Sequence, residues 1–86
     1  MEIWLLVRAD CPTCVDARAV WRQAAAEKGV RFHCVDAEDD PEGRRLAERA
    51  GLRTFPAVII DGQLKAVGVQ SRAQALALLE NGPEMG

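Results

Sequence analysis

Asp10-Cys11-Pro12-Thr13-Cys14 is the stretch on which the reading of this chain turns. Before it lies the apolar run Ile3-Trp4-Leu5-Leu6-Val7, and after it a long Ala-rich segment. A strand that passes through Cys-Pro-x-Cys straight into a helix sets one sulfur at the helix N-terminus and the other one turn further in. Only the ionised thiol attacks a disulfide, and a free cysteine, with a pKa of about 8.5, is mostly protonated at neutral pH. Unpaired backbone N–H groups and the positive end of the macrodipole favour negative charge at a helix start, so Cys11 gains from both. Pro12 at the first helical position gives up an N–H that has no intrahelical partner, and it presets φ. Cys14 lies within reach of any mixed disulfide that Cys11 forms.

The same spacing serves other chemistries. A zinc site normally needs four nitrogen or sulfur ligands, and the other candidates are the neighbours His33 and Cys34. Adjacent residues on a strand point to opposite faces, so that pair closes a tetrahedron poorly. Redox exchange is the favoured reading. The alternative is a metal-binding or metal-transfer module using Cys11 and Cys14, and a non-catalytic interaction domain is a third.

With 86 residues the chain is expected to form one small domain, residues 1–82, followed by a frayed tail at 83–86. Apolar residues make up 49% and charged residues 28%, the balance of a soluble globular protein. A net charge of -2 gives no reason to expect nucleic acid or an anionic membrane as partner. Arg44-Arg45, the one adjacent basic pair, reads as a solvated helix face. Three cysteines cannot all pair within one chain, which argues against a disulfide-stapled secreted scaffold. The first residues lack a basic leader, and their apolar run is too short for a signal peptide or a membrane span. A cytoplasmic monomer is the expectation.

Ile3 to Val7, continuously apolar, reads as a central strand buried on both faces. From Pro12 to Lys28, Ala17, Val20, Trp21 and Ala24 recur at helical spacing, and Gly29 stops the helix. Trp21 reads as a core anchor. Val30 to Val35 is the second strand, parallel to the first through a right-handed crossover. On it Cys34 is expected to be buried and inert, and His33, on the alternate face, is expected to be a structural or partly exposed histidine rather than a proton-transfer group. Asp40-Pro41 starts a second helix that buries Leu46, Ala47 and Ala50 and ends at Gly51. Gly43 in its first turn costs up to about 1 kcal/mol relative to Ala. Ala57 to Ile60 and Gln63 to Val69 form an antiparallel hairpin about Asp61-Gly62. Ser71-Arg72-Ala73-Gln74 is a capping box that opens a third helix.

The order strand, Cys-Pro-x-Cys helix, strand, helix, x-Pro, hairpin, helix resembles the minimal thioredoxin fold of glutaredoxins and small glutaredoxin-like thioredoxins. Cys11-Pro12-Thr13-Cys14 and the segment Thr54-Phe55-Pro56-Ala57-Val58 carry the resemblance. It implies an α/β domain, a four-stranded mixed sheet with three helices in the order β-α-β-α-β-β-α. It also implies a thiol-disulfide oxidoreductase with Cys11 attacking and Cys14 resolving, without a metal or organic cofactor. Pro56 is then cis, overriding the neutral base rate for such bonds, and Phe55 offers its backbone to a bound peptide or glutathione. The substrate-binding set becomes Arg8, Pro12, Thr13, Arg53, Thr54, Phe55, Pro56 and Gly68. Protein disulfides are the implied substrates, with a thioredoxin-reductase-like enzyme or glutathione as electron donor. Thioredoxins have Trp before the first cysteine and a buried Asp on the preceding strand, where this chain has Asp10 and Leu5. Glutaredoxins have Tyr between the cysteines and a Gly-Gly-x-Asp segment, where it has Thr13 and Gly68-Val69-Gln70-Ser71. Ser71 cannot supply that carboxylate, while Arg8 and Arg53 match basic positions that glutaredoxins use.

Overall fold

The computed structural model describes residues 1–81, so the expected tail at 83–86 lies outside the described residues. Four strands and three helices alternate as β1 (Glu2–Val7), α1 (Pro12–Lys28), β2 (Arg31–Asp36), α2 (Pro41–Ala50), β3 (Ala57–Ile60), β4 (Gln63–Val67) and α3 (Arg72–Asn81). The sheet order is β2-β1-β3-β4, with β1 parallel to β2 and antiparallel to β3, and β4 antiparallel to β3. This is the minimal thioredoxin fold, and the element order is the one the sequence predicts.

Why β1 is apolar from Ile3 to Val7 follows from its place. Ile3 and Leu5 face a core shared with Ala17, Trp21 and Ala24 of α1 and Ala75 and Leu79 of α3. Trp4 and Leu6 face the other side, where Ala47 and Leu46 of α2 pack with Ala57 and Ile59 of β3. Side chains alternate along a strand, so covering both faces requires an unbroken apolar run. β3 is buried at all four positions for the same reason.

The helix ends are built as their residues dictate. Asp40 caps α2 by accepting from the backbone N–H of Glu42 (2.8 Å) and Gly43 (3.2 Å). Ser71 and Gln74 bond reciprocally, Gln74 N–H to Ser71 Oγ at 3.1 Å and Ser71 N–H to Gln74 Oε1 at 2.9 Å. The β3–β4 turn places both Asp61 (φ 49°) and Gly62 (φ 85°) in the left-handed region that tight hairpins need.

Several expectations need correction. β4 stops at Val67 rather than Val69, because Gly68 (φ 78°) turns the chain and gives its N–H to the Pro56 carbonyl at 2.7 Å. β2 begins one residue late and runs to Asp36. Ala50 is exposed, not buried. It sits on the same helical stripe as Gly43, but an unfilled space of about 230 Å³ separates it from Ile59 and Leu64.

Candidate active site

Asp10 adopts φ 56°, a conformation that Asp tolerates better than most residues, and it turns the chain between β1 and α1. Cys11 follows in extended geometry (φ -123°, ψ 93°) as the N-cap of α1, and Pro12 takes the first helical position. The Cys14 N–H donates to the Cys11 carbonyl at 3.1 Å, closing the first turn. The two cysteines are disulfide-bonded, with Cα atoms 5.3 Å apart. They differ in access. Cys11 is half-buried at the mouth, and Cys14 is 5% exposed beneath it. Exposed Thr13 sets its Oγ1 3.5 Å from the Cys11 sulfur.

A cleft of about 550 Å³ opens over Cys11, bounded by Arg8, Asp10 and Pro12 on one side and by Arg53, Thr54 and Phe55 on the other. The Phe55-Pro56 peptide is cis, as the resemblance implies, and Pro56 is buried. Gly68 meets the site one step back, through its bond to Pro56. Seven of the sequence-derived site residues therefore surround one cleft (Arg8, Cys11, Pro12, Arg53, Thr54, Phe55) or lie beside its sulfur (Thr13). Cys14, Pro56 and Gly68 stand behind them.

Arg8 is less free than the sequence suggests. Its guanidinium donates to Glu38 Oε2 at 2.7 Å and lies over the Phe55 ring, 5.6 Å from the centroid. Sharing that charge with Glu38 weakens its pull on a Cys11 thiolate. No motif in the sequence marks Glu38 as its partner, 30 residues away.

A second cavity, of about 430 Å³, flanks the pair on the α1 side, where Cys14, Val15, Arg18 and Cys34 meet. Cys34 is half-buried and free, which corrects the expectation of a sealed thiol. Burial pushes its pKa up, and the charge and hydrogen bond of Arg18, with a smaller contribution from Arg22, pull the other way. Nearby, Asp36 accepts from the backbone N–H of Asp39 (2.8 Å) and Glu38 (2.7 Å). Those bonds, the Asp39 one first, hold its carboxyl below the usual range, with Arg8 adding a smaller effect.

His33 has no part in this geometry. It stacks on Trp4 with ring centroids 4.1 Å apart and meets Glu2 Oε2 at 3.1 Å, on the opposite side of the sheet from Cys34. Among the described residues no group of three or more His, Cys, Asp or Glu side chains is arranged to hold a metal ion. Nor, among them, is any helix long and apolar enough to cross a membrane.

A sheet of this order, with a Cys-Pro-x-Cys disulfide at the start of its first helix, defines a redox protein of the thioredoxin class. Residues 1–80 match the family model of the thioredoxin domain, and the chain belongs to that family. Thioredoxin 1 from Thermosipho africanus superposes with a TM-score of 0.75 at 18% identity, over 94% of this chain and 92% of that one. The glutaredoxin-like protein NrdH-redoxin from Escherichia coli gives 0.60 at 23% identity, over 91% and 95%. A mutant of the thioredoxin-like protein BC3987 gives 0.62 at 26% identity, over 91% and 94%. No curated protein sequence matches the chain at a significant level. Family and cysteine pair together support oxidoreductase activity in general.

Proposed function

We propose that the protein is a dithiol thiol-disulfide oxidoreductase that reduces protein disulfides. The observation that carries this reading is the unequal access of a bonded pair at a helix N-terminus, with Cys11 at the mouth of an open cleft and Cys14 buried behind it. In the reduced protein the Cys11 thiolate attacks one sulfur of the substrate disulfide, and the other sulfur leaves as a thiolate that takes up a proton. Cys14 then loses its proton and attacks the Cys11 sulfur, which releases the second substrate thiol. Two electrons have passed to the substrate, and the bonded Cys11–Cys14 pair is what remains.

Arg8, Pro12, Thr13, Arg53 and Thr54 frame the approaching disulfide, and Phe55 offers backbone groups to the peptide that carries it. Pro56 supports that segment, and Gly68 holds Pro56. For the electron donor, a thioredoxin-reductase-like enzyme is favoured over glutathione. Ser71, at the place of the acid that would hold the glutathione amine, has its hydroxyl committed to capping α3. The E. coli protein among the structural neighbours is described as glutaredoxin-like with a thioredoxin-like activity profile, which supports the same choice.

The test is a redox titration in graded thiol-disulfide buffers, followed by alkylation and mass measurement. A reversible two-thiol transition confined to Cys11 and Cys14, between about -180 and -270 mV, is expected. A pair that stays reduced across that range overturns the proposal. Turnover with NADPH and thioredoxin reductase, compared with glutathione and glutathione reductase, identifies the donor.

A further inference from the structure

Beyond the cleft over Cys11 the surface does not close. A groove of about 620 Å³ continues from it toward α2, and the two spaces share Arg8, Arg53 and Phe55 along their common border. The floor of the groove is apolar, from Ala37, Ala47, Leu52 and Phe55, and Arg44 of α2 stands at its far side. Glu38 and Glu48 also face it, and Glu38 is taken up by Arg8. Among the described residues, Arg44 and Arg53 have no carboxylate within ion-pair distance, whereas Arg45 beside Arg44 is bonded to Glu42. Two guanidinium groups, Arg44 and Arg53, and one carboxylate, Glu48, stand outside any ion pair among the described residues, so the border of this apolar-floored groove carries an excess of positive charge beside the redox sulfur, in a chain whose net charge is -2. A cleft of the size found over Cys11 already accommodates a small thiol. The second space suits several more residues of an extended chain, at about 3.3 Å each.

We propose that this groove is an exosite for an acidic segment beside the target cysteine of an oxidised protein substrate, with Arg44 and Arg53 setting the preference. The inference rests on the oxidoreductase reading and deepens it by naming a substrate class. Apolar groups between the acids lie on Ala47, Leu52 and Phe55, and the carboxylates meet Arg44 and Arg53. Since both arginines are exposed, their effect is modest and falls with added salt.

The experiment uses the reduced full chain and three matched peptide disulfides whose cysteines are flanked by Asp and Glu, by Ser and Gly, or by Lys and Arg. Hydroxyethyl disulfide and glutathione disulfide are run beside them. At low salt the acidic peptide is expected to react about fivefold faster than the basic one, the scale of one or two exposed ion pairs. Arg44→Gln reduces that preference, leaving the share that Arg53 supplies, and Arg44→Glu abolishes it, while both variants keep the wild-type rate with hydroxyethyl disulfide. Equal rates for the three peptides, or a preference untouched by Arg44→Glu, overturn the exosite while leaving the oxidoreductase reading in place. If the Arg44 variants slow glutathione disulfide as much as the acidic peptide, the groove reads glutathione and the proposal fails. If no disulfide reacts, hydroxyethyl disulfide included, the oxidoreductase reading falls and the exosite with it.

Discussion

Gly43, in the first turn of α2, lies directly against the backbone carbonyl of Asp36 at the end of β2. A β-carbon built on Gly43 would overlap that oxygen and would come within 3.0 Å of Val35 Cγ2. Helix propensity alone favours Ala there by about 1 kcal/mol. The packing reverses the sign, because the obstacle is backbone on both sides and neither β2 nor α2 can withdraw without losing its place in the sheet sandwich. Gly43→Ala should lower the stability of the oxidised protein by about 1 to 3 kcal/mol, the usual cost of overpacking. Urea unfolding measures it, and a stabilised variant would mean that α2 can slide away from β2.

Trp21 is fully buried in α1, and its Nε1–H donates to Gln70 Oε1 at 3.0 Å. Gln70 in turn donates Nε2–H to the Val67 carbonyl at 3.0 Å, tying the loop between β4 and α3 to the first helix. Gln70→Ala leaves the indole N–H without a partner in an apolar core, a loss of about 1 to 3 kcal/mol. Trp21→Phe removes donor and desolvation cost together but leaves a gap. In a double-mutant cycle the two substitutions should be non-additive, since each breaks the same bond. Strict additivity in urea melts would show that the bond contributes nothing.

These two contacts mark the limit of what the sequence discloses. The succession of strands and helices along the chain, the covered β1, the Asp40 and Ser71 caps and the Cys-Pro-x-Cys helix start are legible because each rests on local periodicity or on residues within four positions. Gln70 meets Trp21 across 49 residues and Arg8 meets Glu38 across 30, and nothing local announces either. Gly43 reads as a weakness in a helix because its neighbour Asp36 belongs to another element. Asp10 reads only as a departure from the Trp that thioredoxins have there, although its left-handed φ is what delivers Cys11 to the helix start. Cys34 shares a strand face with Phe32, so alternation predicts burial. The end of the strand opens onto the cavity beside Cys14, and alternation carries no information about where a layer stops.

Cys34 offers a test of that opening through pH. Its pKa is raised by burial, against the pull of Arg18 and Arg22. A thiol whose folded pKa exceeds its unfolded value contributes stability that is complete below the unfolded value, about 8.5. That contribution is lost as pH rises through the folded value. In a background with Cys11→Ser and Cys14→Ser, stability should decline above that point, and Cys34→Ala should remove this part of the decline. Alkylation by N-ethylmaleimide should be slower than for a free cysteine and should accelerate toward alkaline pH. Arg18→Gln, which removes the favourable charge, should slow it further at neutral pH. Urea midpoints and labelling rates between pH 7 and 10 provide both readings. Labelling as fast as that of a free cysteine at pH 7 would contradict the raised pKa.

The unequal access of Cys11 and Cys14 predicts unequal consequences for their replacement. Cys11→Ser removes the sulfur that reaches the cleft, and the Cys14 sulfur, 5% exposed, is too enclosed to substitute for it. Turnover of an insulin-type disulfide should fall to background. Cys14→Ser keeps the attacking sulfur and loses the one that releases product, so a stoichiometric mixed disulfide with the substrate should accumulate. Mass measurement after acid quenching should show that adduct on Cys11 alone. Neither variant can form the bond between the first turn of α1 and its cap, so both should also unfold at lower urea than the oxidised wild type and close to the reduced wild type. That comparison separates lost chemistry from lost structure. If Cys11→Ser retained substantial turnover, or if the adduct formed on Cys34, the attacking thiol would have been misassigned, and the cavity shared by Cys14, Arg18 and Cys34 would be the place to look for it.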